Sequence, residues 1–216
     1  MEYEDEKIAE LKKERRRQKY TDIKGEGVFI NGQLTKFCLR AINDDVGLYI
    51  PEEFIDMPQE IQFMKFPSVS RPQRIFTSLD SSVNFTFSIV DHQIPDTQVK
   101  SLAEQMEAVI CKSNPAAIFY QNDQSVLVSG RTICMFDFKN YGIDEQMYNM
   151  VCFTSLNHGT LHGTFICLDR DADDWRKAAW EAFKTITEKN QTYKETYGPD
   201  RTNTGISEAL YRESCT

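Results

Sequence analysis

Apolar and polar positions alternate through much of this chain, and in two stretches the period lengthens from two to that of a helix. The alternation is clearest where Val83, Phe85, Phe87 and Ile89 interleave with Asn84, Thr86 and Ser88. That is a strand with one face toward a core. It is the second of two strands in "RIFTSLDSSVNFTFSIVD", which turn about Asp80, Ser81 and Ser82. Upstream, "GVFINGQLTKF" places Asn31-Gly32 between two apolar-alternating runs. Both residues tolerate the positive φ that a type I′ hairpin turn requires. "VGLYIPEEF" is a short strand stopped by Pro51, and residues 58–66 make a short helix or turn. Further strands are expected at about 116–121, 125–138, 145–156 and 160–168.

The helical stretches are residues 96–113 and 171–188. In the first, Val99, Leu102, Ala103, Met106 and Ile110 recur at spacings of three and four, with Lys100, Glu104 and Glu107 mostly opposite. Asn114-Pro115 ends it. In the second, Asp171, Asp173 and Asp174 open the helix, where negative charge is favoured. Trp175, Ala179, Ala182, Phe183 and Ile186 form its apolar face. Strands, a helix, a run of antiparallel strands and a helix give an α+β layer architecture: an antiparallel sheet of six to eight strands with the two helices packed on it.

Three segments follow from composition shifts. Residues 1–24 carry eight basic and seven acidic residues, acids first. They read as a charged helix or arm with little to bury, dispensable for folding. Residues 25–189 form the α+β globular domain. After residue 189 the chain becomes polar, with Gly198-Pro199 and "RTNTGIS", and reads as a tail. No internal repeat is present.

At 216 residues the chain suits one domain with tails. A formal net charge of -8 argues against coating nucleic acid, and the basic run from Lys12 to Lys19 reads as a solvated helix face, the alternative being a local contact with nucleic acid or an acidic partner. No apolar run reaches the roughly 18 residues of a membrane helix, so no membrane insertion is expected. The N-terminal stretch lacks the apolar core of a secretory signal. The expected compartment is therefore the cytoplasm, with all six cysteines (Cys38, Cys111, Cys134, Cys152, Cys167 and Cys215) as free thiols, since none forms a C-x-x-C pair.

Candidate chemistry centres on "SLNHGTLHGTF", which holds His158 and His162, four apart, between Cys152 and Cys167. On a helix residues four apart lie about 6 Å from each other, but in a strand they span about 13 Å. Zinc requires ligand nitrogens about 2 Å from one ion. Asn157-His158-Gly159 is turn chemistry, and no Asp or Glu falls between Gln146 and Leu168. The stretch reads as a hairpin: a three-residue loop at 157–159 with Gly159 in the left-handed region, pairing Val151 with Phe165 and Phe153 with Gly163. No metal and no cofactor is expected. "GEGVF" lacks the Lys and Ser/Thr of a phosphate loop, no G-x-S-x-G elbow occurs, and the acids from Asp169 to Asp174 lack the terminal Glu of a calcium loop. No catalytic residue is assigned.

One residue stands off its helical stripe. With Trp175 at zero, Ala179, Ala182 and Ile186 fall within about 40°, whereas Trp180 falls near 140°. Either a loop or the C-terminal tail covers Trp180, or the helix is buried on two sides, or Trp180 is partly exposed and forms a protein-binding face with Arg176 and Lys184, because an exposed Trp is a common interface anchor.

The region 25–189 resembles the Mog1/PsbP-like fold, including its bacterial DcrB-like members. The likeness rests on "VGLYIPEEF" as an early strand ending in proline, on "NFTFSIVD" followed by a helix, and on last strands leading into "DDWRKAAWEAF". The resemblance implies a non-enzymatic protein-binding module, such as an accessory or chaperone-like factor; no functional residue carries over. Two classes therefore remain: an interaction module whose partner is another protein, or a small-ligand-binding protein or enzyme whose site would be a deep pocket with convergent polar groups. Oligomeric state does not follow from the sequence.

Overall fold

The computed structural model describes residues 20–142 and 145–189, together with Lys7, Ile8, Leu11, Lys12 and Arg15, which are helical and exposed. The segment 190–216 read as a polar tail lies outside the described residues, as does most of 1–19.

The chain opens with β1 (Thr21–Asp22), β2 (Gly27–Ile30) and β3 (Gln33–Thr35), a small antiparallel sheet. Asn31 (φ 48°) and Gly32 (φ 80°) make the expected hairpin turn between β2 and β3. Ile23, just after β1, is 4% exposed and belongs to the main core. The buried core therefore includes a residue ahead of residue 25: one isoleucine, too little to register in a periodicity, packs into it.

β4 (Phe37–Ala41), β5 (Val46–Pro51) and β13 (Thr187–Glu188) form a second antiparallel sheet, ordered β13-β5-β4. β6 (Ile55–Asp56), α1 (Gln59–Lys65), β7 (Arg74–Thr77) and β8 (Asn84–Val90) come next. α2 (Val99–Ser113) follows a short 3₁₀ turn, Asp96–Gln98. β9 (Ile118–Val126), β10 (Thr132–Tyr141), β11 (Gln146–Leu156) and β12 (Gly159–Leu168) then lead through a second 3₁₀ turn into α3 (Ala172–Lys184). The main sheet has seven strands, ordered β6-β7-β8-β12-β11-β10-β9, all antiparallel. The α+β expectation stands.

Both faces of this sheet are covered. Val99 and Ala103 of α2 pack on Cys134, Phe136, Phe138, Val151 and Phe153. On the other face lie Ile133, Met135, Tyr148, Met150 and Cys152, the other half of the same strands, against Trp175, Ala179, Ala182 and Phe183 of α3. Phe85 is the hub, with ring centroids 4.8 Å from Phe165 and 5.7 Å from Phe183. Beyond α3 lie β2 and β5, which also contact it. The order is helix, sheet, helix, small sheets.

Three local readings are corrected. α3 stops at Lys184 rather than 188. Thr185 accepts the Tyr49 N–H at 2.9 Å and donates to the Ala182 carbonyl at 2.6 Å, and the next residues pair with β5. A neighbouring strand thus supplies the partners that another helical turn would have supplied. The polar residues Asn122, Asp123 and Gln124, expected to separate two strands, lie inside β9. The turn comes later, with Gly130 at φ 84°. The 157–159 hairpin is one residue tighter than expected. Leu156 pairs with Gly159, so Val151 faces Thr164 and Phe153 faces His162. Gly159 (φ 113°) enters the ladder at a point where a Cβ would lie 2.4 Å from the Val90 carbonyl oxygen on the neighbouring strand; only glycine admits that approach.

Candidate functional site

Arg176, Trp180 and Lys184 recur every four residues, so they share one side of α3. That side faces β9 and β10. Arg176 reaches Asp137 on β10, and Lys184 lies 3.8 Å from Asp123 on β9. Lys184 also lies 3.4 Å from Glu181. Trp180 is only 7% exposed and belongs to the main core. The exposed-tryptophan reading is therefore overturned. The helix has the main sheet on one side and β2 and β5 on the other, so its buried surface extends beyond the Trp175 stripe and includes Trp180.

The polar centre of this region was not singled out from the sequence. Asp137 follows Ile133 and Met135 at the two-residue spacing of a strand and so points into the core with them. Its side chain is 0% exposed. Oδ2 accepts the Tyr148 hydroxyl at 2.6 Å and Arg176 Nε at 2.6 Å. Oδ1 accepts the Gln121 backbone N–H at 2.9 Å and Arg176 Nη2 at 3.2 Å. Four donors occupy a group with about four acceptor sites. A buried carboxylate needs that degree of pairing. Burial draws the Arg176 guanidinium down, but its hydrogen bonds to Asp137 and the charge of that carboxylate outweigh this and leave it above its ordinary value. Burial, and then the bond to Asp137, push the Tyr148 phenol far above its own. The signal available in the sequence was an acid on the apolar face of "ICMFDFKNY".

The bond from Gln121 N–H to Asp137 coincides with a β-bulge. The ladder runs from Asp137 opposite Gln121 to Phe138 opposite Phe119, leaving Tyr120 as the extra residue. A bulge re-aims a side chain. Here the Tyr120 ring lies 6.5 Å from that of Tyr148, with the Arg176 guanidinium 5.5 Å from its centroid. The cluster fastens α3, β10 and β11 to the last strand of the sheet. With both oxygens of Asp137 filled, it offers no free base to a substrate.

The histidines do not converge. His158 is exposed in the turn, while His162 sits on β12 with its ring stacked on Phe153 at 4.8 Å. Burial holds His162 below its ordinary value. Cys152 and Cys167 are pushed well up by burial, Cys134 less so, which keeps them as thiols rather than nucleophilic thiolates. Among the described residues no three His, Cys, Asp or Glu side chains gather as a metal would require. Cys111, Cys134, Cys152 and Cys167 are free, but Cys38 is disulfide-bonded, which corrects the expectation of six free thiols. Spacing along the chain reports only local pairs, and a disulfide needs proximity in space alone.

What remains open is the edge of the main sheet. Among the described residues β9 pairs only with β10. It is nine residues long, with Tyr120 46% and Val126 72% exposed. Its single charged side chain is Asp123, and it contains no Lys or Pro. The opposite edge, β6, has two residues, and Asp56 there is tied to Arg40 and Arg74 at 3.3 and 2.8 Å. Short, charged edges block strand addition; long edges without Lys or Pro invite it. Among the described residues no helix is long and apolar enough to cross a membrane.

No family model and no curated protein matches the chain. Among solved structures, it is similar to the solution structure of cyanobacterial PsbP (CyanoP) from Synechocystis sp. PCC 6803, with 10% identity over 70% of this chain and 93% of that one and a TM-score of 0.47. It is also similar to the crystal structure of PA94 from Pseudomonas aeruginosa, described as a protein of unknown function and a putative regulator, with 13% identity over 77% and 99% and a TM-score of 0.38. The PsbP-like resemblance noted in the sequence is thus met among solved structures, and identity at this level concerns the fold alone.

Proposed function

We propose that this chain is a non-enzymatic protein-interaction module, of the accessory or chaperone-like kind, that receives its partner along β9. The observation that carries this reading is the contrast between the two edges of the main sheet: β6 is short and charged, whereas β9 is long, lacks Lys and Pro and exposes apolar side chains. A strand added to β9 would gain main-chain hydrogen bonds along its length. Arg176 and Lys184, expected in a binding face, flank this edge on the α3 side through Asp137 and Asp123. Trp180 lies beneath that face as packing. The filled acceptor sites of Asp137 and the raised thiols favour a binding role over catalysis.

The compartment we propose is the cytoplasm, on the evidence of four free thiols, of which Cys111 is exposed. The disulfide at Cys38 points the other way, and cell fractionation decides between them. For the binding face, a photo-crosslinking amino acid is placed at Asn122 or Gln124 on β9, and at Gln59 on α1 as control; all three positions are exposed. In cells, one discrete adduct at the β9 positions and none at Gln59 supports the reading. Equal labelling at all three, or none at β9, refutes it.

A further inference from the structure

We infer that the partner segment presents a lysine or arginine side chain to a pocket between α2 and β9; this rests on the reading of β9 as the docking edge. The pocket encloses about 280 Å³, and its floor is the buried pair Cys134 and Phe136. Ala103, Glu104 and Glu107 of α2 form one wall, and Asn122 and Gln124 of β9 the other. Its volume lies just below the usual range for small-ligand sites, roughly 300–1,000 Å³, which suits one long side chain better than a cofactor.

The chemistry of the walls selects the side chain. The floor and Ala103 are apolar, whereas three carboxylates line the pocket: Glu104, Glu107 and Asp123, the last met by Lys184 at 3.8 Å. Lys100, at the rim, stands 3.8 Å from Glu104 and answers a second. Among the described residues Glu107 has no cationic partner. An apolar stem ending in a positive charge fits this gradient, because Lys and Arg lay their methylenes on apolar surface and keep the charged head at the rim. An acidic side chain would meet unanswered negative charge, and a purely apolar one would leave the rim unused.

Register places the pocket relative to an added strand. Asn122 and Gln124 oppose Phe136 and Cys134, so they share the α2 face. A strand paired with β9 would send alternate side chains toward that face and the others toward Tyr120 and the α3 side. The bulge at Tyr120 interrupts the ladder, so the regular edge runs from Gln121 to Val126. The partner segment is therefore about six residues long, with the base flanked by apolar or aromatic residues. Net charge decides against a second copy of this chain: each copy carries -8, and like charge opposes association while a basic partner is drawn in.

The test pans a phage-displayed library of random octapeptides on the full chain. A selected peptide is then synthesised, and its binding is measured against the wild type and against the double variant Glu104→Lys, Glu107→Lys. Both sites lie on the outer part of α2, and a thermal melt confirms that the variant folds. The expected result is Lys or Arg at one fixed position among β-branched or aromatic neighbours. The double variant should bind the peptide at least tenfold more weakly and, when panned itself, select Asp or Glu there. Enrichment without a fixed base, or a base whose selection ignores the double variant, overturns the inference. Crosslinking of the selected peptide to a photo-reactive residue at Asn122 separates the two readings. Peptides that crosslink there without a base leave the docking edge intact and remove only the basic pocket; peptides that bind without crosslinking there remove both.

Discussion

Replacing Arg176 by Met leaves the Asp137 carboxylate with two of its four donors, the Tyr148 hydroxyl and the Gln121 N–H. The carboxylate is fully buried. Breaking a wholly buried pair costs about 3–5 kcal/mol, because the remaining charge is uncompensated. The Arg176 side chain is 35% exposed, and solvent screens its share, so the expected loss is about 2–3 kcal/mol. The stem of Met retains much of the packing, which keeps the comparison electrostatic. Asp137→Asn removes the charge that Arg176 compensates. In that background Arg176→Met should cost only about 1 kcal/mol, giving a coupling of roughly 1–2 kcal/mol, within the range for residues in direct contact. The assay is urea denaturation at pH 7, followed by tryptophan fluorescence and far-UV circular dichroism, for the four members of the cycle at 0.1 M and 1 M salt. Equal costs for Arg176→Met in both backgrounds would refute the reasoning. So would an effect that vanishes at 1 M salt, since that is how an exposed pair behaves.

Three further outcomes are expected. Ile23→Ala should lower stability by about 2–4 kcal/mol because the side chain is buried in the main core, and truncation to residue 25 should do at least as much; unchanged urea midpoints would show that the β1 segment contributes nothing. Burial holds His162 below its ordinary value, so below about pH 6.5 the unfolded chain takes up a proton that the folded one resists. Stability should therefore fall as pH drops from about 6.5 toward the folded value, and His162→Asn should flatten that slope; identical slopes would remove the histidine from the account. Alkylation of unfolded, non-reduced protein, read by peptide mass, should modify Cys111, Cys134, Cys152 and Cys167 and leave Cys38 untouched until a reductant is added.

Some of this molecule is legible one short stretch at a time. The alternation from Val83 to Ile89 specifies a strand whatever lies beside it, because side chains on a strand reverse with each residue. Asn31-Gly32 takes positive φ at both positions because those residues tolerate it and most others do not. The stripe on α3 specifies a helix with a buried face, and the antiparallel α+β order follows from short links between strands. Four features were decided only by tertiary structure, each because the deciding partner is distant in sequence. The register of the hairpin at Asn157-His158 is read only from the sheet, where Leu156 pairs with Gly159 and Gly159 packs against the Val90 carbonyl. The polar run in β9 is a strand because it occupies an edge, where polar side chains keep their water, and nothing within the run says that the edge is there. Trp180 is buried because α3 is covered from two sides, and a helical wheel records how many faces are apolar but not what covers them. Asp137 is tolerated in the core only because Arg176, 39 residues later, is brought within 2.6 Å of it. Periodicity reports how a segment meets its nearest layer; register, edges and buried charge depend on the second layer, which chain folding alone assembles.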